Sequence, residues 1–331
     1  MKRIPKTLLV IIGLLAVLAL ALVGGCDTSE PSNGNEPSNG SEPTNGNEPE
    51  EVSTEFSVTD DRGITFDFDA PVDTLISLAP SNTEIVFFVD AGDKLIGRTE
   101  YCNYPAEASD VESIGGFWDP DKERVVVLDP DVVLATDMHV STGDAEWLES
   151  QGLTVIVLDP EDMEGIMANI EMVGKLTGNG ELAEEKTADL EARIDYVTER
   201  TAGLDEAEKP RVLHVTWHDP LWTVGSDNFL NTVISLAGGI NIFTDVSGDV
   251  QVDIELAVTR DPQLITVVGS HGIDTNSYDY LVAADSPFAE TEAYLNESIF
   301  MVDADVVSRP GPRIVDALEL FAGYLHPEIF S

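Results

Sequence analysis

Aromatic side chains in segments rich in glycine and proline are the residues of this chain best suited to recognising a ligand. Only 23 of the 331 residues are aromatic (12 Phe, 7 Tyr and 4 Trp), yet several of them stand beside turn-forming residues. Such rings offer a large planar or amphipathic molecule broad apolar contact in a defined orientation. The residues that we expect to bind a ligand are Tyr101, Phe117, Trp118, Trp217, His218, Trp222 and Arg309. The alternative for each ring is packing against its own part of the protein. The alternative for His218 is a hydrogen bond at the surface.

Two arginines near the end of the chain stand on either side of a Pro-Gly-Pro turn. Arg309 and Arg313 are two of only 14 cationic residues that remain when the three in the first six residues are removed from the 17. A guanidinium group can bind an anionic ligand group through two parallel hydrogen bonds. The alternative is an ion pair or a cap at the last helix, and this fits Arg313 better than Arg309.

The sequence contains no recognisable catalytic or zinc-binding motif. It has no G-x-S-x-G segment and no convincing Ser, His and Asp set, and its five histidines are scattered. We therefore expect no catalytic residue, no metal site and no cofactor, so that any metal would arrive within the ligand. Two alternatives stay open: a secreted hydrolase, and a zinc or manganese receptor that uses the many carboxylates. Cys102 is expected to be a half-buried structural thiol; the alternative is a soft ligand to the bound molecule.

Apolar runs that alternate with helical segments predict an α/β fold. A hairpin is expected over 56–68, and Ser81-Asn82-Thr83-Glu84 is typical of a helix cap, which predicts a helix from there to Ala91. The predicted strands are 74–78, 95–98, 131–135, 153–158, 211–217, 264–268 and 299–302. Further helices are expected at 143–150, 162–176, 229–237, 254–259, 278–284 and 312–325.

One long helix separates two such series. Residues 181–202 contain neither Gly nor Pro and place apolar residues near helical spacing. We therefore predict two parallel-sheet α/β lobes, residues 55–176 and 209–331, joined by a backbone helix within 177–208. Open sheets of this kind bind ligands beyond the carboxyl ends of their strands, so the site is expected in the cleft between the lobes.

The first 54 residues predict export and a tether. A basic start is followed by 16 residues without charge, 8–23, and then by Gly24-Gly25-Cys26. This is the layout of a secretory signal, residues 1–25, and the run is shorter than the ~20 residues of a spanning helix. Cys26 directly after small residues indicates lipidation; the alternatives are an incidental cysteine or an uncleaved signal. Residues 26–54 contain an EPSNGN repeat without apolar side chains, which predicts a disordered linker.

The charge of the chain is strongly negative. It has 62 acidic residues against 17 basic ones, and without the signal the balance is 62 against 14, or −48. Such a surface repels nucleic acid and anionic lipid, so no nucleic-acid partner is expected. The carboxylates are spread along the chain, which favours a solvation adaptation similar to that of halophile proteins.

Short motifs along the chain occur in the order of a known family. They are ISLAPSNTE at 76–84, YCNYP at 101–105, GGFWD at 115–119, ERVV at 123–126, LDPDVVL at 128–134, DPLWTVG at 219–225, GGINIF at 238–243 and SRPGPR at 308–313. Together with the two lobes and the long helix, they resemble the helical-backbone (class III) solute-binding proteins of ABC importers. Those proteins deliver ferric siderophores, haem and cobalamin.

The resemblance implies a function without catalysis. The chain would be a monomeric lipoprotein on the outer face of the cell membrane that captures a metal-chelate ligand and delivers it to an ABC importer permease. It also implies that Glu123 and Glu255, one in each lobe, dock onto the permease. The aromatic loops look like those of cobalamin-binding relatives, so a corrinoid is our first choice of ligand. Residues 245–252 lack the tryptophan found there in a cobalamin receptor, so a ferric siderophore or haem stays open.

Overall fold

The computed structural model describes residues 55–269 and 276–330. Contacts divide the chain into two units, Met1–Glu51 and Val52–Ser331, and the described residues belong to the second. The predicted signal, the lipidated Cys26 and the linker lie outside the described residues. Within the described ranges, none of the helices combines the length and the apolar character needed to cross a bilayer.

The N-terminal lobe is built on a parallel four-stranded sheet of order β4-β3-β5-β6. Its strands, with the hairpin β1–β2 that precedes them, are β1 (Phe56–Thr59), β2 (Thr65–Phe68), β3 (Leu75–Ser77), β4 (Leu95–Arg98), β5 (Val132–Ala135) and β6 (Val155–Val157). Its helices are α1 (Pro80–Phe88), α2 (Lys122–Leu128), α3 (Asp137–Ser141), α4 (Asp144–Ser150) and α5 (Met163–Thr177). The strands β3, β5 and β6 are buried throughout, which is why they read as unbroken apolar runs.

The C-terminal lobe repeats this plan with a parallel sheet of order β10-β7-β12-β13. Its strands are β7 (Arg211–Val215), β8 (Trp217–His218), β9 (Leu221–Val224), β10 (Ile240–Asn241), β11 (Asp249–Gln251), β12 (Leu264–Gly269) and β13 (Ile299–Asp303). Its helices are α7 (Phe229–Leu236), α8 (Ile254–Thr259), α9 (Asn276–Val282), α10 (Glu292–Leu295), α11 (Ala304–Val307), α12 (Ile314–Leu325) and α13 (Pro327–Phe330). The predicted α/β class with two parallel-sheet lobes is confirmed.

The helix α6 (Gly180–Thr201) connects the lobes and packs against helices of both, α5 of the first lobe and α12 of the second. Its buried side chains include Ala183, Leu190 and Val197, which follow helical spacing. Arg193 on α6 donates hydrogen bonds of 2.6 Å to Asp316 and 2.7 Å to Glu319 of α12. The long helix predicted over 181–202 is confirmed.

A single apolar cluster runs through both lobes. It contains Leu75 and Ile85 of the first lobe, Leu190 of α6, and Leu318 and Phe321 of α12. Two further clusters cover the other faces of the two sheets. The lobes are therefore joined by shared core packing as well as by the chain connection.

An antiparallel sheet of order β11-β9-β8 was not predicted. The sequence indicated one strand over 211–217, but β7 ends at Val215 and Trp217 begins the short hairpin β8–β9, where it is paired with Trp222. Strand β11 then pairs with β9 from a position further along the chain. Pairings between such short and partly polar segments depend on the tertiary fold, so periodicity does not reveal them.

The helix cap predicted at 81–84 is wrong. Helix α1 begins at Pro80, its N-cap is Ala79, and no side chain caps it. Proline suits this first position because its fixed φ is helical and it has no N–H to leave unpaired. The four polar side chains of 81–84 are buried and turn to other partners; for example, the Asn82 amide donates a 3.0 Å hydrogen bond to the Ala135 carbonyl.

Candidate functional site

A cavity of about 1260 Å³ lies between the two lobes. Most of its lining follows the carboxyl ends of parallel strands: 79–81 after β3, 100–103 after β4, 136–138 after β5, 158–159 after β6, and 303–305 at the end of β13. This is where open α/β sheets present a ligand site. The cavity therefore lies in the cleft in which the sequence predicted it.

Three aromatic rings form one wall of this cavity. Tyr101 and Trp118 meet edge to face with centroids 5.9 Å apart, and Phe117 and Trp118 do so at 5.1 Å. Trp118 remains 68% exposed and Tyr101 44% exposed, so their faces are available to a ligand. We call Tyr101, Phe117 and Trp118 the aromatic wall.

His139 supports the aromatic wall from behind. The Thr136 backbone N–H donates a 3.2 Å hydrogen bond to Nδ1 of His139, which fixes Nε2 as the protonated nitrogen. Nε2 then donates at 3.2 Å to the carbonyl of Phe117, whose ring also packs edge to face on the imidazole at 5.2 Å. Burial lowers the pKa of His139 and keeps the ring neutral. Sequence reasoning counted His139 only among the scattered histidines; the one available signal was its place four residues after the end of a buried strand.

A second cavity of about 460 Å³ lies within the C-terminal lobe. Trp217 and Trp222 line it and are paired across β8 and β9, so both side chains stand on one face of this hairpin. Ser308 and Pro310 line both cavities, so the smaller one lies next to the cleft, and we call it the C-terminal arm. The structure thus separates the predicted aromatic residues into an N-terminal wall and a C-terminal arm.

His218 is not among the described residues that line these two cavities. Its Nδ1 lies 2.8 Å from the hydroxyl of Ser277, and its ring packs between Trp217 at 5.1 Å and Tyr280 at 4.9 Å. The imidazole is thus engaged within its own lobe, as the alternative for His218 expected. A contact between His218 and a ligand stays a prediction without support from this geometry.

Arg309 lines the large cavity but is 8% exposed and forms part of an ion-pair cluster with Glu84 and Arg313. One guanidinium nitrogen of Arg309 donates to Glu84 at 2.9 Å, and Arg313 donates two hydrogen bonds to the same carboxylate at 2.7 and 2.6 Å. Arg313 also stacks on the ring of Tyr104, 4.0 Å from its centroid. The structural role expected of Arg313 is confirmed, and Glu84 ties the first lobe to the second.

Both terminal nitrogens of Arg309 have further partners. They bind the side chain of Asn103 at 2.8 Å, the carbonyl of Tyr101 at 3.3 Å and the carboxylate of Asp305 at 2.8 Å. Asn103 in turn donates to Asp305 at 2.9 Å across the cleft. A contact of either terminal nitrogen with an anionic ligand group would compete with these bonds, and in this structure Arg309 holds the lobes together. The predicted contact of Arg309 with a ligand stays a prediction.

Glu123 and Glu255 lie in the first turns of two short helices, α2 and α8. Both are exposed, and within the part of the chain that the structure describes neither carboxylate forms an ion pair. Each has an exposed apolar neighbour: Val127, one helical turn after Glu123, is 70% exposed, and Leu256, next to Glu255, is 42% exposed. Carboxylates in this setting are free to meet a cationic partner.

Cys102 is fully buried, not half-buried as predicted. Burial raises the pKa of its thiol, and the sulfur lies 3.2 Å from the hydroxyl of Thr99. Across residues 55–269 and 276–330, no group of three or more His, Cys, Asp or Glu side chains is arranged to hold a metal ion.

Comparison with known proteins agrees with this architecture. The sequence model of the periplasmic binding protein family matches residues 75–306. This chain belongs to the periplasmic binding protein family. An ABC transporter substrate-binding lipoprotein of Bacillus subtilis, YvrC, is 29% identical over 261 residues, 78% of this chain and 81% of that protein.

Other relatives of this periplasmic binding protein carry the name of a ligand. The vitamin B12-binding protein of Vibrio campbellii is 28% identical over 251 residues, 76% of this chain and 88% of that protein. The crystal structure of the vitamin B12-binding protein BtuF of Vibrio cholerae superposes with a TM-score of 0.67 at 27% identity, covering 78% of this chain and 98% of that one. The predicted family is therefore confirmed.

Proposed function

We propose that this periplasmic binding protein captures a corrinoid in the cleft between its lobes and delivers it to an ABC importer. The observation that carries the proposal is the aromatic wall beside a cavity of about 1260 Å³. A corrinoid is large, rigid and amphipathic, so it can lay its ring plane or edge against exposed aromatic faces. The vitamin B12-binding relatives support the same ligand class.

Tryptophan fluorescence tests this proposal directly. Of the four tryptophans, Trp118, Trp217 and Trp222 line the cavities, while Trp147 packs elsewhere against Lys122. Titration with cobinamide, cobalamin, haem and ferric siderophores should give the strongest saturable quenching with a corrinoid. Absence of quenching by every chelate, together with tight binding of zinc or manganese, would refute the proposal and favour a metal-ion receptor.

A matched pair of variants assigns the signal to the aromatic wall. Trp118→Ala removes the most exposed ring of the wall and should weaken corrinoid affinity about tenfold, since an aromatic contact is worth about 0.5–1.5 kcal/mol beyond its area. Trp147→Phe, outside both cavities, should leave the affinity unchanged. Equal affinities for Trp118→Ala and the wild type would remove the wall from the binding site.

The proposed location is the outer face of the cell membrane, with Cys26 as the lipid attachment site. Support comes from the sequence of the first 26 residues and from a relative that is named as a lipoprotein. The mature protein should show an N-terminal peptide that begins at a diacylated Cys26. A Cys26→Ser variant should be released from the membrane, whereas Cys102→Ser should stay attached.

Docking on the permease is assigned to Glu123 and Glu255. Their exposure, the exposed apolar side chains of Val127 and Leu256 beside them, and their placement in opposite lobes support this role. Charges in such contacts mainly determine the association rate and the register of the complex. The binding role requires no bond-making step, so these residues position the receptor and take no part in chemistry.

A further inference from the structure

The charged side chains that line the interlobe cavity are nearly all negative. The described lining contains five carboxylates and one guanidinium group, a formal balance of −4: Glu100, Asp137, Asp159, Asp303, Asp305 and Arg309. The site is defined by the cavity and its aromatic wall, and these carboxylates set the potential that a ligand meets there.

No other lysine or arginine is available to balance this charge. All 14 cationic residues downstream of the signal lie in the described part of the chain, and of these only Arg309 lines the cavity. Its guanidinium group is engaged by Glu84 and Asp305. The cavity therefore offers no uncommitted Lys or Arg to an anionic ligand group.

The titration of carboxyl groups at the cavity reflects the same negative potential. Burial raises the pKa of Asp159, and the carboxylates of Asp137, Asp61 and Glu161 raise it further. In the smaller arm the charged lining residue is Asp249, since burial lowers the pKa of His214 to about 3 and keeps that ring neutral. The carboxylates that line the two cavities thus oppose an incoming negative charge.

We infer that the cleft admits neutral or cationic metal chelates and rejects polyanionic chelates of the same size. This rests on the proposed function, because it assumes that a chelate occupies the cleft. Corrinoids with amide side chains and cationic hydroxamate complexes meet the requirement. Haem, with two propionates, and tris-catecholate iron complexes, with several negative charges, would place anions against carboxylates without a counter-ion.

Two series of chelates that differ mainly in charge test the inference. The first is cobinamide, with amide side chains, against cobyrinic acid, which has carboxylates on the same ring. The second is ferrioxamine B, which is cationic, against its N-acetyl and N-succinyl derivatives, which are neutral and anionic. At low ionic strength the anionic member of each series should bind at least about tenfold more weakly than the cationic or amide member. This ratio should shrink at about 1 M salt, where the Debye length is about 3 Å.

A charge-neutralising variant separates the cleft from the overall charge of the protein. Glu100→Gln combined with Asp159→Asn should raise affinity for the anionic members at least about threefold at low salt. The control, Asp189→Asn with Asp195→Asn on the exposed face of α6, changes the net charge equally and should leave the ratio unchanged.

The outcomes distinguish this inference from the proposed function. Equal or tighter binding of the anionic members overturns the inference and leaves a chelate receptor in place. A ratio that changes equally in both double variants also overturns it, since the overall charge would then explain the preference. Absence of binding by every chelate in both series overturns the proposed function and the inference with it.

Discussion

Glu84 lies between two guanidinium groups that belong to the other lobe. Glu84 is 3% exposed, Arg309 is 8% exposed, and the hydrogen bonds that join Glu84 to Arg309 and Arg313 measure 2.6–2.9 Å. Such a cluster contributes little net stability compared with apolar packing, but removing the Glu84 charge leaves Arg313 without its ion pair and Arg309 with Asp305 alone. The cluster therefore specifies how the lobes meet more than it adds to the free energy of folding.

We predict that Glu84→Gln destabilises the protein by about 3–5 kcal/mol, because two arginines then share a buried site without this carboxylate. Urea unfolding measures the loss. Glu112→Gln is the matched control, since it breaks an exposed ion pair with Arg124 and should cost far less. Equal losses of unfolding free energy in the two variants would show that the buried Glu84 cluster contributes no more than an exposed ion pair.

His214 gives a pH dependence with a definite sign. It is buried, its Nδ1 lies 2.9 Å from the Thr266 hydroxyl, and burial lowers its pKa to about 3. The unfolded chain binds this proton near pH 6.5, so the stabilisation is complete above that value and is lost as pH falls towards 3. The stability advantage of the wild type over His214→Asn should fall by up to ~1.4 kcal/mol per pH unit in this window. Parallel pH profiles for the two proteins would contradict this.

At the scale of elements, local sequence predicted the long helix and, except for β10, the strands of the two parallel sheets. The apolar runs of β5 and β12 are buried strands, and the Gly- and Pro-free segment 181–202 is α6 to within one residue at each end. These elements could be predicted because burial on both faces, or along one helical stripe, leaves a regular pattern in the sequence.

Elements and contacts that depend on distant partners could not be predicted in this way. Glu84 was interpreted as part of a cap, yet its partners lie 225 and 229 residues further along the chain. The β8–β9 hairpin was missed because Trp217 was assigned to the end of one strand over 211–217 and Trp222 to a segment beside turn residues. The aromatic wall was found because its rings stand beside turn residues, whereas His139, which supports it, has a local sequence that resembles any helix start.

The prediction about docking on the permease concerns residues on the helices α2 and α8. Glu123→Gln combined with Glu255→Gln should slow ligand uptake by the reconstituted importer severalfold, because charge complementarity sets the association rate. Ligand affinity of the isolated receptor should not change. Glu185→Gln with Glu191→Gln, on the exposed part of α6, provides the control. Uptake that is reduced equally in both double variants would assign the effect to net charge.

At the scale of the whole molecule, the balance of 62 acidic against 14 basic residues after the signal generates self-repulsion. Raising potassium chloride from about 0.1 M to about 2 M should therefore increase the free energy of unfolding, because the Debye length falls from about 10 Å to below 3 Å. Sucrose, which favours the folded state without screening charge, is the control. Stability that is independent of salt would refute an adaptation to high salt.

The shared core, the helix α6 and the ion-pair cluster around Glu84 have a kinetic consequence. Lobes joined in this way can rock slightly but cannot close by a wide hinge, so the cleft is already formed when a ligand arrives. Stopped-flow quenching should then give an observed rate that increases linearly with ligand concentration; a plateau would reveal a slow closing step. A receptor whose conformation hardly changes on binding cannot signal the presence of its ligand by a change of shape. The permease must then distinguish the ligand-bound receptor from the ligand-free one by direct contact with the ligand at the mouth of the cleft.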